Sequence, residues 1–540
     1  MEPDRDHPRP RRCLLIGTSA CVSALEAQLG AAAPWCTTVG AVIVRADAAA
    51  DRSPVASTVA AIPELGGLDR LCEAIRASTP DLAVVSLPMS MPGTIFEIRR
   101  QLREHALPER FVPPLAELLA ATPDCDRSLI EPRTTRECSR PGRSGALEVP
   151  GAGGYGALID REPRTLDRER VRSALCGRRV LVTGAGGSIG SELARLAAGF
   201  DPAELILIER SENALFEIDR QLERRYPGIP RRAVLHDVVD VRATRSRFGM
   251  LRPDVVFHAA AHKHVPLMED HPVDAVRNNV FGTVSVVRAA LEADAERFVL
   301  ISSDKAVNPT SVMGATKRLA ECCVQAVNRA RSSERGEGTR LAMVRFGNVC
   351  GSAGSVIPVW SAQLAEGGPL TVTDARMTRY FMTIPEAATL VIQAAAMVPQ
   401  DADHPPLYVL DMGEPVSILD LAQRFVRAHG FEPVICPDPA RAEAAPGVMP
   451  IVLTGIRPGE KLNEQLAYDA EQLAPTDHPG IHAWCGHGAA GPWSDLDGVL
   501  NDLEKAADSG DRAAIIQTIR RYVPEMLCLD SVRDSMRRAG

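Results

Sequence analysis

Aromatic side chains are scarce: Phe, Trp and Tyr make up 4% of 540 residues. Surfaces that stack unpaired bases are built from them, so such a surface has little to draw on. Excess positive charge is also missing. Lys and Arg number 61 against 69 Asp and Glu, giving a net charge of −8, the wrong sign for a partner to nucleic acid. Long apolar runs are absent. A membrane-spanning helix needs about 20 mostly apolar residues, and the longest candidate, AATLVIQAAAMV, is far shorter and reads as a buried helix. The opening MEPDRDHPRPRR is charged and proline-rich, and the apolar CLLIG soon after it is too brief for a signal peptide. The 13 cysteines include no C-x-x-C pair, and Cys322 and Cys323 are adjacent, which predicts a reduced, cytoplasmic chain. His482, Cys485 and His487 in HAWCGH fall short of a four-ligand set, so no metal is expected.

What remains is the composition of a globular protein, 45% hydrophobic and 24% charged, long enough for two to four domains. Residues 1–121 hold RCLLIG, VGAVIV and LAVVSLP, alternating with helical patterns, which predicts a small Rossmann-like α/β domain with a parallel sheet. Its first turn, GTSACV from Gly17, lacks the later glycines of a dinucleotide loop, so a structural or regulatory use is expected. Residues 122–156 turn to Pro, Arg, Ser and Gly and read as a linker. From 157 to 540 the chain carries RRVLVTGAGGSIGSELARLAAGF, then strand-like LILIE, AVLHD, DVVFHAA, RFVLISS and LAMVRFGN with helix-length segments between them. Six or seven such units make a doubly wound, Rossmann-type parallel sheet. Beyond Gly351 the alternation loosens into a smaller substrate-capping subdomain, and the tail from Trp493 predicts two amphipathic helices.

Gly184, Gly187 and Gly190 form TGxxGxxG between an apolar strand and a helix, where Ser188 and Ile189 open the helix. Glycine admits a pyrophosphate close to the backbone, and the helix N-terminus offers free N–H groups and positive potential. Glu209 ends the next strand, 19 residues beyond Gly190. A carboxylate there bonds ribose hydroxyls and repels a 2′-phosphate, favouring NAD over NADP, although Arg210 beside it suits that phosphate. Asp237, next to Val238, either meets the adenine or caps a strand end. Ala259, Ala260 and Ala261 let the backbone pass close to a cofactor, and His262, Lys263 and His264 follow where open α/β sheets bind ligands.

TGAGGSIGSEL, HAAAHKHVPLMED, SSDKAVNPTSVMGATKR, RFGNVCGSAGSVIP, TRYFMTIPEAA, LDMGEPV and RPGEKL together resemble the extended short-chain dehydrogenase/reductase superfamily. More narrowly they resemble the CapD-like, long-form UDP-N-acetylglucosamine 4,6-dehydratases of polysaccharide and glycan biosynthesis, over roughly Leu158 to the C-terminus. Residues 11–121 resemble the Rossmann-like segment that precedes the catalytic domain in long members. Those members usually begin with transmembrane helices that this sequence lacks, so membrane attachment is not carried over.

The resemblance implies hydride abstraction from sugar C4 by NAD, elimination of water across C5 and C6, and hydride return to C6. Asp304 would protonate the departing hydroxyl and Lys305 would take the C5 proton. Free Asp and Lys titrate near about 3.9 and 10.4, so the Asp must be held protonated and the Lys neutral, and burial favours both. Lys317 matches the lysine that holds the cofactor ribose, and Ser303 the hydroxyl near sugar O4. Met313 stands where short members keep the proton-transferring tyrosine. Long members commonly carry methionine there, so it marks a subtype; judged as a residue alone, it is a packing side chain. Asn348, Arg457 and Lys461 match nucleotide-sugar contacts, with surface ion pairing the other reading of Lys461. The expected partners are a UDP-sugar and further copies of the chain in a homo-oligomer. The alternatives are a C5-inverting dehydratase, a 4-epimerase, which would rely on the tyrosine, and a non-catalytic NAD/UDP-sugar sensor.

Overall fold

The computed structural model describes most of residues 11–111 and of 158–526; in the latter, 162–163, 332–337, 400–404, 437–446, 469–470 and 485–491 are excepted. The expected linker at 122–156 lies outside the described residues, as do Cys485 and His487. The chain divides into two compact units, one of residues 1–154 with 363–370 and 422–452, the other of 155–362, 371–421 and 453–540. No helix among the described residues is long and apolar enough to cross a membrane.

In the first unit a five-stranded sheet has the order β3-β2-β1-β4-β5, all parallel. The strands are β1 (Arg11–Gly17), β2 (Cys36–Ile43), β3 (Glu64–Gly66), β4 (Leu82–Ser86) and β5 (Glu109–Phe111). Leu14, Ile16, Val42, Ala83 and Val85 fill one face and Cys13, Leu15, Ala41 and Val84 the other. This two-sided burial is why the strands read as continuous apolar runs. Gly17 closes β1 so tightly that a Cβ would lie 2.2 Å from the Ser86 carbonyl oxygen. Cys13 is disulfide-bonded, which corrects the expectation of a fully reduced chain.

The second unit is built on a nine-stranded sheet. Its strands are β6 (Arg179–Thr183), β7 (Glu204–Glu209), β8 (Arg231–Leu235), β9 (Val255–His258), β10 (Arg297–Ile301), β11 (Arg340–Arg345), β12 (Leu407–Leu410), β13 (Ala474–Pro475) and β14 (Ile481–Trp484). Their order is β13-β14-β12-β11-β10-β9-β6-β7-β8. The seven from β8 to β12 are parallel, while β14 and β13 add antiparallel strands at one edge. Strand order reverses between β6 and β9, and a doubly wound sheet binds ligands in the crevice beyond that reversal. The looser region after Gly351 therefore does more than cap: β12 and β14 return to the main sheet.

AATLVIQAAAMV lies in the buried helix Ile384–Met397 except for its last residue, the C-cap Val398, and packs against β6-side core residues such as Val180, Val182 and Leu193. The opposite face is packed by Phe248, Val286, Val287, Ala320 and Val324. The tail forms the two expected helices, Leu496–Asp508 and Arg512–Tyr522, which share an apolar cluster with helix Val312–Arg331.

Candidate active site

Strand β6 ends in a glycine turn that leaves no room for side chains. Gly184 has φ +64°, and a Cβ on it would sit 2.8 Å from Ala260 Cα; on Gly190 it would sit 2.0 Å from the Gly184 carbonyl oxygen. Gly187 is the N-cap of helix Ser188–Ala198 and brings no capping side chain, so the first-turn N–H groups stay open to a ligand. Glu209, at the end of β7, braces this turn: Oε2 accepts from Gly186 N–H at 3.1 Å, and Oε1 from the N–H groups of Arg210 and Ser211 at 2.9 and 3.0 Å. Arg210 turns its guanidinium onto His262 Nε2 at 2.7 Å. This cradle fits a dinucleotide pyrophosphate: its close approaches exclude a Cβ, and a carboxylate stands at the neighbouring strand end.

Asp237 is exposed past the end of β8 and caps its turn, Oδ1 accepting from Val239 N–H at 3.1 Å, whereas Val238 is buried. Ala259 and Ala260 are partly buried and Ala261 exposed, directly after β9. His258 ends that strand wholly inside. Its Nδ1 lies 2.7 Å from Thr183 Oγ1 and its Nε2 3.1 Å from Thr283 Oγ1. Thr283 donates its own proton to the Asn279 carbonyl, so His258 carries the proton on Nε2 and accepts at Nδ1. Burial, with Lys317 near, pushes its pKa down to about 3, so it is neutral. Neither His258 nor Asn279, which ties His262 to Thr316, stood out in the sequence.

Beyond β10 the chain makes one tight turn, Asp304–Ala306, with Ser303 as its N-cap. Lys305 Nζ donates to Asp304 Oδ1 at 3.0 Å and to Asn348 Oδ1 at 3.0 Å, and Ser303 Oγ donates to Asp304 Oδ1 at 2.8 Å. Asp304 is fully buried, and its Oδ2 has no hydrogen-bond partner among the described residues. Burial holds the Asp304 carboxyl above its ordinary pKa. For Lys305 the expectation of a burial-neutralised amine needs correction. Burial pushes it down, but the charges of Asp304 and Glu464 outweigh that and hold it above its ordinary value.

Helix Val312–Arg331 packs on this turn through Gly314, where a Cβ would lie 2.3 Å from the Lys305 carbonyl oxygen. Lys317, one helical turn on from Met313, donates to the Ile301 carbonyl at 2.6 Å, and burial lowers its pKa to about 8. Met313 is 3% exposed inside the apolar cluster with Met268, Leu319 and Trp493. That placement removes it from the catalytic candidates: a buried thioether has no proton to give.

The proposed sugar-nucleotide contacts separate. Asn348 belongs to Lys305. Lys461 is largely buried, donating to the Val307 carbonyl at 2.6 Å with Glu464 Oε2 at 3.6 Å, so it is no surface ion pair. Arg457 stands exposed on a turn tied down by Thr310, whose hydroxyl donates to the Gly459 carbonyl at 3.0 Å. Exposed Lys263 donates to Ser352 Oγ at 3.3 Å, and His264 packs on Gly354, where a Cβ would meet its ring at 2.5 Å. Ala353 N–H in the same loop donates to Ser188 Oγ at 3.1 Å. The loop GSAGS thus spans the helix N-terminus and the Lys263–His264 segment, a role its motif did not reveal.

Behind the turn lies an ionic network. Arg345 is fully buried and binds Glu321 through Nε and Nη2 at 2.7 Å each and Glu471 through Nη1 at 2.7 Å. Ser302 Oγ donates to Glu321 at 2.6 Å, and Tyr468 OH to the Ala306 carbonyl at 2.9 Å. These bonds hold both ends of the Asp304–Lys305 turn.

A family model described as "Polysaccharide biosynthesis protein" matches residues 180–485. The probable polysaccharide biosynthesis protein EpsC of Bacillus subtilis is 44% identical over 366 residues, covering 67% of this chain and 56% of that protein. A UDP-N-acetylglucosamine 4,6-dehydratase (inverting) of Campylobacter jejuni is 30% identical over 296 residues, 53% of this chain and 77% of that protein. The X-ray structure of Pen from Bacillus thuringiensis aligns with a TM-score of 0.50 at 29% identity, over 59% of this chain and 90% of that one. The chain spans about half the length of the polysaccharide-biosynthesis relatives it matches. It belongs to the polysaccharide biosynthesis protein family, an α/β chain of the extended short-chain dehydrogenase/reductase kind.

Proposed function

We propose that this family member is a nucleotide-sugar 4,6-dehydratase, converting a UDP-sugar, UDP-N-acetylglucosamine, to the 4-keto-6-deoxy sugar. The observation that carries the reading is the adjacent acid and base at the end of β10: Asp304 and Lys305 joined at 3.0 Å, with a second, buried Asp304 oxygen that has no hydrogen-bond partner among the described residues. A 4-epimerase has no use for such a pair and relies on a phenol where this chain packs Met313.

NAD would be held by the cradle of Gly184, Gly187, Ser188, Ile189 and Gly190, by Glu209 and Asp237 at the strand ends, and by Lys317. The Glu209 carboxylate disfavours a 2′-phosphate, and Arg210 is engaged by His262, so NAD fits better than NADP. When bound there, the nicotinamide would supply a two-electron acceptor for oxidation at sugar C4 and the donor for reduction at C6.

The protein's own part is proton movement. Moving one proton along the 3.0 Å hydrogen bond converts the ammonium–carboxylate pair into Lys305 amine and Asp304 carboxylic acid. With a C4 ketone acidifying C5–H, Lys305 takes the C5 proton and the C5–H electron pair forms the C5–C6 double bond. The C6–O bond breaks, and the Asp304 proton leaves with the hydroxyl as water. Lys305 then returns a proton to C5 as C6 is reduced. Asp304 is left one proton short, and the sugar O4 lost one proton when C4 was oxidised. The balance closes through solvent: the O4 proton leaves by way of the Ser303 hydroxyl, which bonds Asp304 Oδ1 at 2.8 Å, as C4 is oxidised, and Asp304 takes a proton back from solvent once water has left, so no tyrosine is needed.

Purified chain given NAD and UDP-N-acetylglucosamine should form a product one water lighter by mass spectrometry. An isomer of unchanged mass would replace this reading with epimerisation, and binding without turnover would leave a sensor. Return of the proton by Lys305 to the face it left predicts retention at C5, read by NMR of the product; inversion, the outcome in the name of the Campylobacter jejuni relative, would require a proton donor on the opposite face.

A further inference from the structure

Glu464 is a buried carboxylate to which the mechanism assigns no task. It lies two residues beyond RPGEKL, and its side chain is 4% exposed. Oε1 lies 3.7 Å from Lys305 Nζ and 4.0 Å from Arg379 Nε, and Oε2 lies 3.6 Å from Lys461 Nζ. Oε2 is buried with no hydrogen-bond partner among the described residues. Arg379 does not chelate it: its Nη1 donates to the carbonyls of Thr378 and Leu462, and its Nη2 to that of Lys461. The charged groups around Glu464 are therefore Lys305 and Asp304 from the β10 turn, Lys461 from its own segment, and Arg379. A buried carboxylate left short of hydrogen bonds is costly, so its retention beside the proposed base calls for a reason.

We propose that Glu464 is a positioning residue for the elimination, holding the Lys305 amine between Asp304 and Asn348 and setting, through its negative charge, the pH range in which the Asp304–Lys305 pair works. This rests on the dehydratase reading. The direction follows from charge alone. A neighbouring anion favours the protonated state of both groups, so Glu464 raises the pKa of Lys305 and of Asp304 together. Neutralising it must move both limbs of a bell-shaped pH–rate profile towards acid, whichever limb belongs to which group. Two unit charges 3.7 Å apart interact by about one pH unit even at the dielectric of bulk water.

The test is the pH profile of kcat/KM for water loss from UDP-N-acetylglucosamine by the unaltered chain, Glu464→Gln and Glu464→Asp. In Glu464→Gln both limbs should move down by about one pH unit or more, while Glu464→Asp keeps them in place. Limbs that stay put in Glu464→Gln, with or without a uniform loss of rate, overturn the proposal. If Glu464→Gln does not fold, Lys461→Met decides: unmasking the Glu464 charge should move both limbs towards alkaline pH, and unmoved limbs overturn the proposal. Failure of the unaltered chain to release water would instead overturn the dehydratase reading, and this inference with it.

Discussion

Replacing Gly314 with alanine tests how tightly the structure holds its acid–base pair. The new Cβ would stand 2.3 Å from the Lys305 carbonyl oxygen and 3.2 Å from its carbon. Ordinary contact begins near 3.4 Å, so about 1.1 Å must be found. Both contacts are backbone, and neither can rotate away; either the helix or the Asp304–Ala306 turn has to shift. Overpacking of this kind costs about 1–3 kcal/mol, and alanine in place of a helical glycine gives back about 1 kcal/mol. Stability should therefore fall by no more than about 2 kcal/mol. Activity should suffer more, since displacing a catalytic group by about 1 Å can cost about a hundredfold in rate. The assay pairs kcat for water loss with a thermal midpoint. Gly249→Ala is the control: it lies in helix Val241–Leu251 with nothing within 4 Å of the added Cβ, and should leave turnover unchanged while raising the thermal midpoint through the about 1 kcal/mol that alanine returns. A Gly314→Ala chain that turns over within about twofold of normal would refute the claim that this contact sets the pair's position.

Other outcomes follow from the same geometry. Glu321→Ala leaves Arg345 buried and half unpaired, and should cost about 3–5 kcal/mol in denaturant unfolding. Arg345, although opposed by burial, helps hold the Glu321 carboxyl below its ordinary pKa of 4.5, so its stabilisation is complete above that value and is lost as pH falls through the folded-state pKa. Glu321→Gln should flatten that acid loss, read as unfolding free energy against pH. Gly190→Ala places a Cβ 2.0 Å from the Gly184 carbonyl oxygen and should weaken NAD binding at least about tenfold by calorimetry. His258, with a pKa near 3, should show no imidazole titration by NMR between about pH 5 and 8.

What the sequence made legible is what lies close together along it. TGAGGSIG joins strand, turn and helix in one stretch, so the cradle could be read directly, and Asp304 and Lys305 are neighbours. Glu464, Arg345, Glu321 and His258 reach the site only through strand order and through a segment returning from far along the chain, and no local spacing announces them. Side-chain direction was equally hidden. Asn348 and Lys461 were expected to face a nucleotide, but one holds Lys305 and the other donates to Val307. Met313 keeps the tyrosine's place in the sequence, yet its side chain is packed in the core. Strands β12 and β14 were missed because alternation loosens once the chain leaves the six central parallel strands, β8 to β11 in sheet order.

The most direct measurement of the central claim is turnover of UDP-N-acetylglucosamine in deuterated water by the unaltered chain and by Lys305→Ala. The Asp304–Lys305 mechanism predicts a product one water lighter carrying solvent deuterium at C5, and no such product from the variant. Near-normal water loss by Lys305→Ala would contradict it.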